Sequence, residues 1–477
     1  MASTESQIKG EELSRLALVL AAGEGTRMKS DRPKVLHAVC GKPMVAWVLD
    51  ALQPLREEGL IDRVLVVLGS GAHEVASVVG DRAECVHQEE RKGTGHAVMV
   101  AAPQVREDEV LVLTADSPLI TTGTLRALIR RHEERRPAAT ILAAVLEDPT
   151  GYGRIKRDER GAVAAVVEES EAGEEERSIR EVNTSTYVFD WKRLEAVLPR
   201  LRPDNAKGEY FLTDALALLA REGVLEIYTT QDPEEVLGVN SRVHLAMAEE
   251  IMRARINRRW MEEGVTIEDP ATTYIGPEVV IGRDTVLRPM VILEGRTVVG
   301  RDCLLGPGVR IVDSRLGDGV TVEQAVIRES ELEDGVSVGP FASLRPGTVL
   351  RAGSKAGTFV EMKKTVVGRR SKVPHLSYMG DAEIGEDVNV GAGSITCNYD
   401  GVRKHRTVIG DRAFIGSDTM FVAPVRIGEG AVTGAGSTIT RDVPPGALGI
   451  ERSRQRNVLE YGKRAKKEAE GLEGDNP

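Results

Sequence analysis

The sequence predicts an α/β domain with a Rossmann-like, mostly parallel sheet, a long helix, and then a parallel β-helix of hexapeptide repeats. Three observations support this fold class. Apolar runs alternate with helical patterns in the first half, an amphipathic segment follows, and from about residue 275 an apolar residue recurs at every sixth position. The predicted segments are a flexible N-terminus (1–15), the α/β domain (16–240), a helical linker (241–264), the repeat domain (265–452) and a charged tail (453–477).

Composition limits the classes of function. The chain has 477 residues, of which 41% are hydrophobic, so it can form two or three packed domains. A net charge of −11 argues against nucleic-acid binding that rests on bulk electrostatics. The cysteines are scattered without metal-ligand spacing, and no segment resembles a membrane span or a signal peptide. These features predict a cytoplasmic protein with no membrane or nucleic-acid partner.

The α/β domain is predicted from six apolar runs separated by helical patterns. Their sequences are LALVLAA, VLVVLG, ECVHQ, EVLVLTAD, TILAAVL and AVAAVVEE. Alternation of this kind indicates strands joined by crossover helices, and hence a mostly parallel sheet.

The linker is predicted from one amphipathic segment. Its apolar face consists of Leu245, Ala248, Met252, Ile256 and Trp260. Ser241 is suited to cap the helix, and Gly264 is suited to end it. At ~1.5 Å per residue, such a helix would form a spacer of about 35 Å.

The repeat domain is predicted from the period of six. The most regular run is Ile409, Ile415, Phe421, Ile427, Thr433 and Ile439. Each block would form one strand and one corner, with the apolar residue pointing inward and glycine providing positive φ at the corner. Three blocks would close one coil, and stacked coils would bury one another. The alternative is an antiparallel sandwich, but its turns recur at roughly 8–12 residues.

A candidate phosphate site follows the first strand. LAAGEGTRM (Leu20–Met28) forms a glycine-rich turn, and PKVL (Pro33–Leu36) comes shortly after it. Backbone N–H groups in such a turn can approach phosphates. The third glycine of GxGxxG and the GK[ST] motif are absent, so neither a dinucleotide fold nor a P-loop is indicated. Arg27 and Lys34 provide two cations suited to a triphosphate.

Asp116 ends the strand EVLVLTAD, which places its carboxylate at the same sheet edge as the glycine turn. A hard oxygen ligand in that position suits Mg²⁺ bound to phosphates. The alternative is an aspartate that caps a helix N-terminus, and position alone favours neither interpretation.

A second candidate site lies where the repeats are interrupted, at CNYDGVRKHRT (Cys397–Thr407). Insertions in a solenoid form loops on one face, and such loops often carry binding residues. Several cations lie upstream near His375, which suits a phosphorylated substrate and a base. His375 and His405 are the histidines of the repeat half, and a histidine taken alone is more often a surface or packed residue.

The motifs together resemble a known family. LAAGEGTRM with PKVL resembles the signature of sugar nucleotidyltransferases, and the chain as a whole, from about Leu16 to Arg452, resembles the bacterial bifunctional N-acetylglucosamine-1-phosphate uridyltransferases and glucosamine-1-phosphate acetyltransferases. The further matching motifs, in the family's order, are HQEERKGTGHA, ADSPL, PTGYGRI, VEE, EVNTSTY, GEYFLTD and GVN. This resemblance implies an α/β nucleotidyltransferase domain and a left-handed parallel β-helix that carries acetyltransferase activity.

The resemblance assigns roles in the α/β domain. Arg27 and Lys34 would act in catalysis, and Asp116 and Asn240 would hold Mg²⁺. The residues assigned to UTP and the product UDP-N-acetylglucosamine are Leu20, Ala21, Ala22, Gly23, Lys34, Gln88, Gly93, Thr94, Thr114, Ala115, Asp116, Gly153, Glu168, Asn183 and Asn240. Of these, Gly153, Glu168 and Asn183 lie at the sugar-phosphate end.

In the repeat domain, the resemblance makes His375 the general base and Asn398 a donor to the developing oxyanion. The residues assigned to glucosamine phosphate are Arg345, Lys363, Tyr378 and Asn389. The residues assigned to acetyl-CoA are Ala392, Asn398, Tyr399, Ser417, Ala435 and Arg452. Without the resemblance, the small residues would suit β-helix corners nearly as well, and Arg452 would suit a solvated basic tail. His405 has no match and is expected to be solvated. The resemblance also implies a homotrimer.

Two positions depart from the family pattern. Glu24 lies between the loop glycines, where relatives often have a basic residue, so its side chain is expected to point outward. Thr114 and Ala115 stand where the family commonly has tyrosine and glycine before the metal aspartate, and the missing tyrosine is expected to weaken sugar contacts.

The function implied is acetylation of glucosamine 1-phosphate by acetyl-CoA, followed by uridyl transfer from UTP to N-acetylglucosamine 1-phosphate. A first alternative is a single-activity sugar-1-phosphate nucleotidyltransferase whose β-helix is structural or oligomerising. The interrupted repeat and the cations around His375 favour two active sites. A second alternative, a non-catalytic nucleotide sensor, would be expected to lack Asp116 or Lys34.

Overall fold

A computed structural model of the chain describes residues 13–69, 71–205, 208–463 and 466. The chain divides into two compact units. The first contains residues up to 258 together with 275–277, and the second contains 259–274 and the residues from 278 onwards. Residues 1–12 of the expected N-terminal segment, and 464–465 and 467–477 of the expected tail, lie outside the described residues. The segment boundaries given above stay predictions.

The first unit contains strands and helices in alternation. The strands are β1 (Arg15–Ala21), β2 (Ala38–Val39), β3 (Lys42–Pro43), β4 (Arg63–Leu68), β5 (Glu84–His87), β6 (Glu109–Thr114), β7 (Ala139–Val145), β8 (Gly153–Arg157), β9 (Val163–Val167), β10 (Glu181–Asp190) and β11 (Leu225–Thr229). The helices, including the one that ends in the second unit, are α1 (Met44–Glu57), α2 (Ala72–Val79), α3 (Thr94–Ala101), α4 (Thr122–Arg135), α5 (Glu174–Arg177), α6 (Trp191–Val197), α7 (Leu212–Glu222) and α8 (Arg242–Glu262).

The main sheet of this unit has the strand order β11-β7-β10-β6-β1-β4-β5. β1 pairs in parallel with both β4 and β6, and β4 pairs in parallel with β5, as the sequence predicts. β10 is antiparallel to β6 and β7, so the sheet is mixed. The run AVAAVVEE does not lead into a crossover helix, because β9 forms an antiparallel hairpin with β8.

Both faces of this sheet are buried. Leu16 and Leu18 of β1 belong to one apolar cluster, and Ala17 and Val19 belong to the cluster on the other face. Successive residues of a strand point to opposite faces, so a strand covered by helices on both sides is apolar throughout. This explains why the strands appear in the sequence as continuous apolar runs. Because β1 and β6 are parallel neighbours, their carboxyl ends meet at one sheet edge.

Helix α8 begins at Arg242, directly after its predicted cap. The Ser241 hydroxyl accepts a hydrogen bond from His244 N at 3.2 Å, which satisfies one of the free N–H groups at the helix start. Gly264 follows the helix with a φ of 96°, a conformation that favours glycine. Ala248, Met252, Ile256 and Trp260 are buried. None of the helices formed by the described residues has the length and apolar character needed to span a membrane.

The repeat half consists of three sheets of short strands, each strand pairing in parallel with the next in its sheet. The first β-helix sheet contains Thr266–Ile267, Val286–Leu287, Leu304–Leu305, Thr321–Val322, Ser337–Val338, Lys355–Thr358, Lys372–His375, Asn389–Val390, Phe414–Ile415, Val432–Thr433 and Leu448–Gly449. The second contains Tyr274–Ile275, Ile292–Glu294, Arg310–Val312, Ala325–Arg328, Ala342–Leu344, Glu361–Lys363, Tyr378–Gly380, Ile395–Cys397, Met420–Val422 and Thr438–Ile439. The third contains Val280–Ile281, Val298–Val299, Arg315–Leu316, Glu331–Leu332, Val349–Leu350, Val366–Val367, Ala382–Ile384, Thr407–Ile409 and Val425–Ile427.

This arrangement confirms the predicted left-handed parallel β-helix of hexapeptide repeats. Ile409, Ile415, Phe421 and Ile427, from the most regular run, are all buried. Each coil therefore contributes a layer of inward-pointing side chains, which pack on the layers of the neighbouring coils.

The predicted role of the glycine after each inward residue is wrong at several corners. Gly368 and Gly416 do not have positive φ. A Cβ atom on Gly368 would lie 2.2 Å from Gly385 O, and one on Gly416 would lie 2.5 Å from Thr433 O. Glycine is needed there because the backbones of successive coils approach closely. Positive φ occurs instead at other corner residues, such as Asp387 with a φ of 54°.

Candidate active sites

The glycine turn after β1 sets the position of Lys34. Gly25 has a φ of 66°, and a Cβ atom added to it would lie 2.6 Å from the Lys34 Cβ. Glycine at this position therefore lets the two segments pack together. Two 3₁₀ turns, Thr26–Met28 and Lys34–Leu36, carry Arg27 and Lys34. Arg27 is exposed, whereas Lys34 is buried.

Lys34 joins the two residues assigned to the metal. Its ammonium forms an ion pair with Asp116 and donates a hydrogen bond to Asn240 Oδ1 at 3.0 Å. Burial alone would raise the pKa of Asp116, but the Lys34 ammonium and a hydrogen bond from Thr114 outweigh it and hold the pKa below its usual value. A carboxylate and an amide oxygen thus converge on one cation, which is the type of donor pair that Mg²⁺ uses.

The residues assigned to the nucleotide lie along the same sheet edge. Gln88, which follows β5, is buried and donates from Nε2 to Gly93 O at 3.3 Å. Gly93 packs against the backbone of Tyr210, because a Cβ atom on it would lie 2.6 Å from Tyr210 O. The Thr94 hydroxyl accepts a hydrogen bond from Leu212 N at 3.1 Å. Leu20, Ala21, Ala22 and Gly23 lie at the end of β1 and just beyond it.

The residues assigned to the sugar phosphate are also neighbours. Gly153 of β8 pairs directly with Asn183 of β10. Asn183 is buried and donates from Nδ2 to the Tyr187 hydroxyl at 2.8 Å. Glu168 accepts a hydrogen bond from the Thr213 hydroxyl at 2.9 Å. Burial and the nearby Glu168 charge raise the pKa of Tyr187, which therefore stays a neutral hydrogen-bonding group.

The two departures from the family pattern have local explanations. Glu24 is largely exposed and forms an ion pair with Arg91 at 2.5 Å, so its charge is balanced at the surface. The Thr114 hydroxyl lies 3.1 Å from the Ser117 hydroxyl and also hydrogen-bonds to Asp116. Ala115 is fully buried and donates its backbone N–H to Leu20 O at 3.0 Å. Thr114, which stands where the family commonly has tyrosine, therefore stabilises the Asp116 carboxylate.

In the repeat half, stacked coils bring together residues that are distant in sequence. A Cβ atom on Gly380 would lie 2.4 Å from the Tyr378 hydroxyl oxygen and 2.7 Å from Asn398 Nδ2. Glycine therefore leaves room for both polar side chains on one face. Asn398 Nδ2 donates to Asp381 Oδ2 at 2.6 Å, and Lys363 lies beside Gly380 in the adjacent strand.

The inserted loop adds a cation that the sequence analysis missed. Lys404 pairs with Tyr399 in a short antiparallel bridge, so the loop folds back on itself. The positive charge of Lys404, followed by that of Arg345, lowers the pKa of Lys363. Like charges repel each other, and a bound dianion would relieve the repulsion between these two ammonium groups. The basic composition of the loop was the available signal for Lys404.

Of the other candidate groups, Arg345 and His405 have side-chain partners, whereas His375 lies at a different corner, between the first and second β-helix sheets. Arg345 donates from Nη1 to Glu361 Oε1 at 2.8 Å. His405 is not simply solvated as predicted, because its Nε2 lies 2.6 Å from Asp400 Oδ2 within the loop. His375 is exposed at the end of its strand. Asn389 pairs in register with Lys372, in the strand that carries His375.

Three of the residues assigned to acetyl-CoA follow one edge of the β-helix, between its first and second sheets. Asp418 N donates to Ala392 O at 2.7 Å, and Gly436 N donates to Ser417 O at 2.8 Å. These bonds place Ala392, Ser417 and Ala435 at equivalent corners of successive coils. Arg452 donates from Nη1 to Ala435 O at 3.0 Å, so it lies on the same edge. Tyr399 is exposed on the inserted loop, which follows a strand of the second sheet, so Asn398 and Tyr399 lie at a different corner of the coil. This edge offers small side chains to an extended ligand.

Comparisons with known proteins identify a nucleotidyltransferase domain in the first half of the chain and hexapeptide repeats in the second. Residues 17–185 match the family described as MobA-like NTP transferase domain, and residues 406–441 match the bacterial transferase hexapeptide family. A protein of Heliobacterium modesticaldum named bifunctional protein GlmU is 53% identical over 445 residues, covering 93% of this chain and 96% of the relative. A protein of the same name from Thermoanaerobacter pseudethanolicus is 53% identical over 444 residues, with the same two coverages.

Proposed function

The chain belongs to the family of bifunctional GlmU proteins, and on this basis we propose how its two sites perform two transfer reactions. It is a UDP-N-acetylglucosamine diphosphorylase and a glucosamine-1-phosphate N-acetyltransferase. The observation that supports two sites is that each unit has its own cluster of assigned residues, one around Lys34 and Asp116 and the other around Lys363 and Asn398. A β-helix with only a structural role would not need the second cluster.

The first reaction acetylates glucosamine 1-phosphate. His375 takes a proton from the substrate ammonium, and the free amine attacks the thioester carbonyl of acetyl-CoA. Asn398 Nδ2 would donate to the oxyanion of the tetrahedral intermediate. The nitrogen of the intermediate still carries two protons, and one of them is released to solvent. When the intermediate collapses, the C–S bond breaks, and the CoA thiolate receives the proton from His375. The products are N-acetylglucosamine 1-phosphate and free CoA.

Binding of the acceptor phosphate is assigned to Arg345, Lys363, Tyr378 and Asn389, and we add Lys404. The closeness of Lys363 and Lys404 supports this addition, because a phosphate between them would be paired with two cations. The acetyl-CoA arm would lie along Ala392, Ser417 and Ala435, with Arg452 beside it. Tyr399 of the inserted loop is also assigned to acetyl-CoA.

We expect Lys404→Met to raise the KM for glucosamine 1-phosphate by at least about tenfold, since losing a hydrogen bond to a charged group usually costs about 1.5–3 kcal/mol. The acetyl-transfer rate is measured by thiol release at several concentrations of the amino sugar. Lys404→Arg should restore most of the affinity for glucosamine 1-phosphate. The control is Lys355→Met, because Lys355 is an exposed lysine of the first β-helix sheet, whereas Lys363 lies in the second. An unchanged KM in Lys404→Met would remove Lys404 from the phosphate site.

In the second reaction, a phosphate oxygen of N-acetylglucosamine 1-phosphate attacks the α-phosphorus of UTP. The bond between the α-phosphorus and the bridging oxygen breaks, and pyrophosphate leaves. Such a reaction depends on alignment and charge neutralisation rather than on a covalent intermediate. Arg27 and Lys34 would neutralise the triphosphate, while Gln88, Gly93 and Thr94 would bind the nucleotide and Gly153, Glu168 and Asn183 the sugar phosphate.

Proteins of this type generally use a divalent metal, and we propose Mg²⁺. Asp116 and Asn240 would hold it, because their oxygens already converge on one cation, the Lys34 ammonium. When bound, Mg²⁺ stabilises charge on the transferring phosphates.

We also propose a homotrimer, formed along an exposed apolar row beside the acetyl-transfer site. Phe341, Phe359 and Leu376 occupy corners between the first and second β-helix sheets and are 53%, 56% and 62% exposed. The two phenylalanine rings stack with centroids 5.2 Å apart. Apolar rows of this kind usually mark a protein interface. Sedimentation equilibrium should give three times the chain mass of 51.7 kDa, and a monomer at micromolar concentration would contradict the proposal.

The cytoplasmic location stays a prediction.

The overall function is tested by product analysis. Purified protein receives glucosamine 1-phosphate, acetyl-CoA, UTP and Mg²⁺, and the nucleotide products are identified by mass spectrometry. The product should be UDP-N-acetylglucosamine, and it should be absent when acetyl-CoA is left out. A nucleotide sugar without the acetyl group would contradict the proposed order of reactions.

A further inference from the structure

Arg242 links the start of helix α8 to the loop that carries both catalytic cations. Its Nε donates to Met28 O at 3.2 Å, and its Nη1 donates to His37 Nδ1 at 3.3 Å. Arg242 lies just after Asn240, one of the residues assigned to the metal. It has no role in the reaction derived above, although its guanidinium lies between two segments of the nucleotide site.

The two acceptors fix the turns that present Arg27 and Lys34. Met28 ends the 3₁₀ turn that contains Arg27. His37 closes the other turn, because its backbone N–H donates to Lys34 O at 3.1 Å. One guanidinium therefore contacts the end of both turns.

The environment of His37 keeps it an acceptor for Arg242. The side chain is buried, and its Nε2 makes no hydrogen bond within the described residues. Burial, followed by the charges of Arg242 and Arg32, lowers the pKa of His37, so the ring stays neutral near pH 7. In the neutral ring, Nδ1 can hold the lone pair that accepts from Arg242.

The same chain segment also contacts the end of the Lys34 side chain. Asn240 Oδ1 accepts a hydrogen bond from Lys34 Nζ at 3.0 Å. The segment from Asn240 to Arg242 therefore holds Lys34 by its ammonium and, through His37, by its backbone. A planar guanidinium has donors at fixed angles, so it sets the spacing of its acceptors more rigidly than an ammonium does.

We propose that Arg242 is a positioning residue for uridyl transfer, which holds the Arg27 and Lys34 turns at the spacing that the triphosphate requires. This inference rests on the proposed function of the first site. Positioning groups act on rate and affinity because small displacements of reacting groups are costly.

A second arginine of helix α8, Arg255, provides a control that distinguishes a positioning role of Arg242 from a purely structural one. Arg255 donates from Nη1 to Leu119 O at 2.6 Å and from Nη2 to Asp232 Oδ2 at 3.1 Å. It anchors α8 within the first unit but contacts neither 3₁₀ turn. Arg255→Met therefore removes an anchor of the helix and leaves the loop contacts intact.

The test compares Arg242→Met, Arg242→Lys and Arg255→Met with the unmodified chain. The readouts are KM for UTP and kcat in pyrophosphate release, the Kd for UTP by calorimetry, and the thermal midpoint. We expect Arg242→Met to raise the KM and Kd for UTP about five- to tenfold, the range expected for a lost charged hydrogen bond that is partly exposed. Arg242→Lys should recover part of this loss, because its ammonium can still donate to one acceptor. Acetyl transfer should be unchanged in both.

The inference fails if Arg242→Met and Arg255→Met change UTP affinity equally, or if Arg242→Met lowers only the thermal midpoint. Absence of uridyl transfer in the unmodified chain would contradict the proposed function instead. In that case, the calorimetric Kd for UTP still decides whether Arg242 positions the loop.

Discussion

Replacing His375 with alanine should lower the kcat for acetyl transfer by about 10²–10⁴-fold, the usual contribution of a general base. The amine of glucosamine 1-phosphate is protonated near neutral pH and cannot attack a thioester until a base removes a proton. The His375 imidazole is exposed at a corner of its coil, and Ala392 and Ser417 occupy the equivalent corner of the next two coils. The measurement is thiol release from acetyl-CoA at saturating amino sugar.

The control for this variant is His405→Ala. His405 is the other histidine of the repeat half, and its ring is engaged with Asp400 inside the inserted loop. It should keep acetyl transfer within a few-fold of the unmodified chain. Both variants should still release pyrophosphate from UTP and supplied N-acetylglucosamine 1-phosphate. A His375→Ala chain with normal thiol release would show that another group is the base.

Asp116→Asn should reduce uridyl transfer by at least about 10²-fold, comparable to losing one electrostatic group that stabilises a transition state. The substitution keeps the size of the side chain but removes the negative charge that pairs with Lys34. An amide is also a weaker ligand for a divalent cation than a carboxylate. Pyrophosphate release from UTP and N-acetylglucosamine 1-phosphate measures the loss, and Mn²⁺ binding followed by electron paramagnetic resonance measures the metal affinity separately.

Asp81→Asn is the matched control, because Asp81 is exposed in a 3₁₀ turn outside the site. It should leave both readouts unchanged, and Asp116→Asn should leave thiol release unchanged. If Asp116→Asn kept full uridyl transfer with normal Mn²⁺ affinity, Asp116 would be a structural residue that only pairs with Lys34, and the metal would have other ligands.

Much of the fold follows from the periodicity of the sequence. The period of six places Ile409, Ile415 and Phe421 inside the β-helix, and the continuous apolar run of β1 indicates a strand covered on both faces. The antiparallel placement of β10 could not be predicted, because strand direction depends on long-range pairing that leaves no mark in local periodicity. The need for glycine at position 368 could not be predicted either, because it arises from the close approach of the backbone of the next coil.

Some site residues could be predicted from the sequence, and others could not. Lys34 and Asp116 were predicted because each follows a recognisable strand or turn signal, and the structure brings their side chains together. Lys404 was missed because its closeness to Lys363 depends on how the inserted loop folds back, which spacing in the sequence does not reveal. Arg242 was missed for a related reason, since its acceptors Met28 and His37 are contacted only after the chain has folded.

The central claim is that this chain carries two independent active sites, and one experiment tests it most directly. The protein is incubated with glucosamine 1-phosphate, acetyl-CoA, UTP and Mg²⁺, while thiol and pyrophosphate are followed separately, beside the His375→Ala variant. The unmodified chain should release both products, and the variant should release pyrophosphate only when N-acetylglucosamine 1-phosphate is supplied. Pyrophosphate from the acetylated sugar, with no thiol release from the unmodified chain, would contradict the claim and reduce the β-helix to a scaffold.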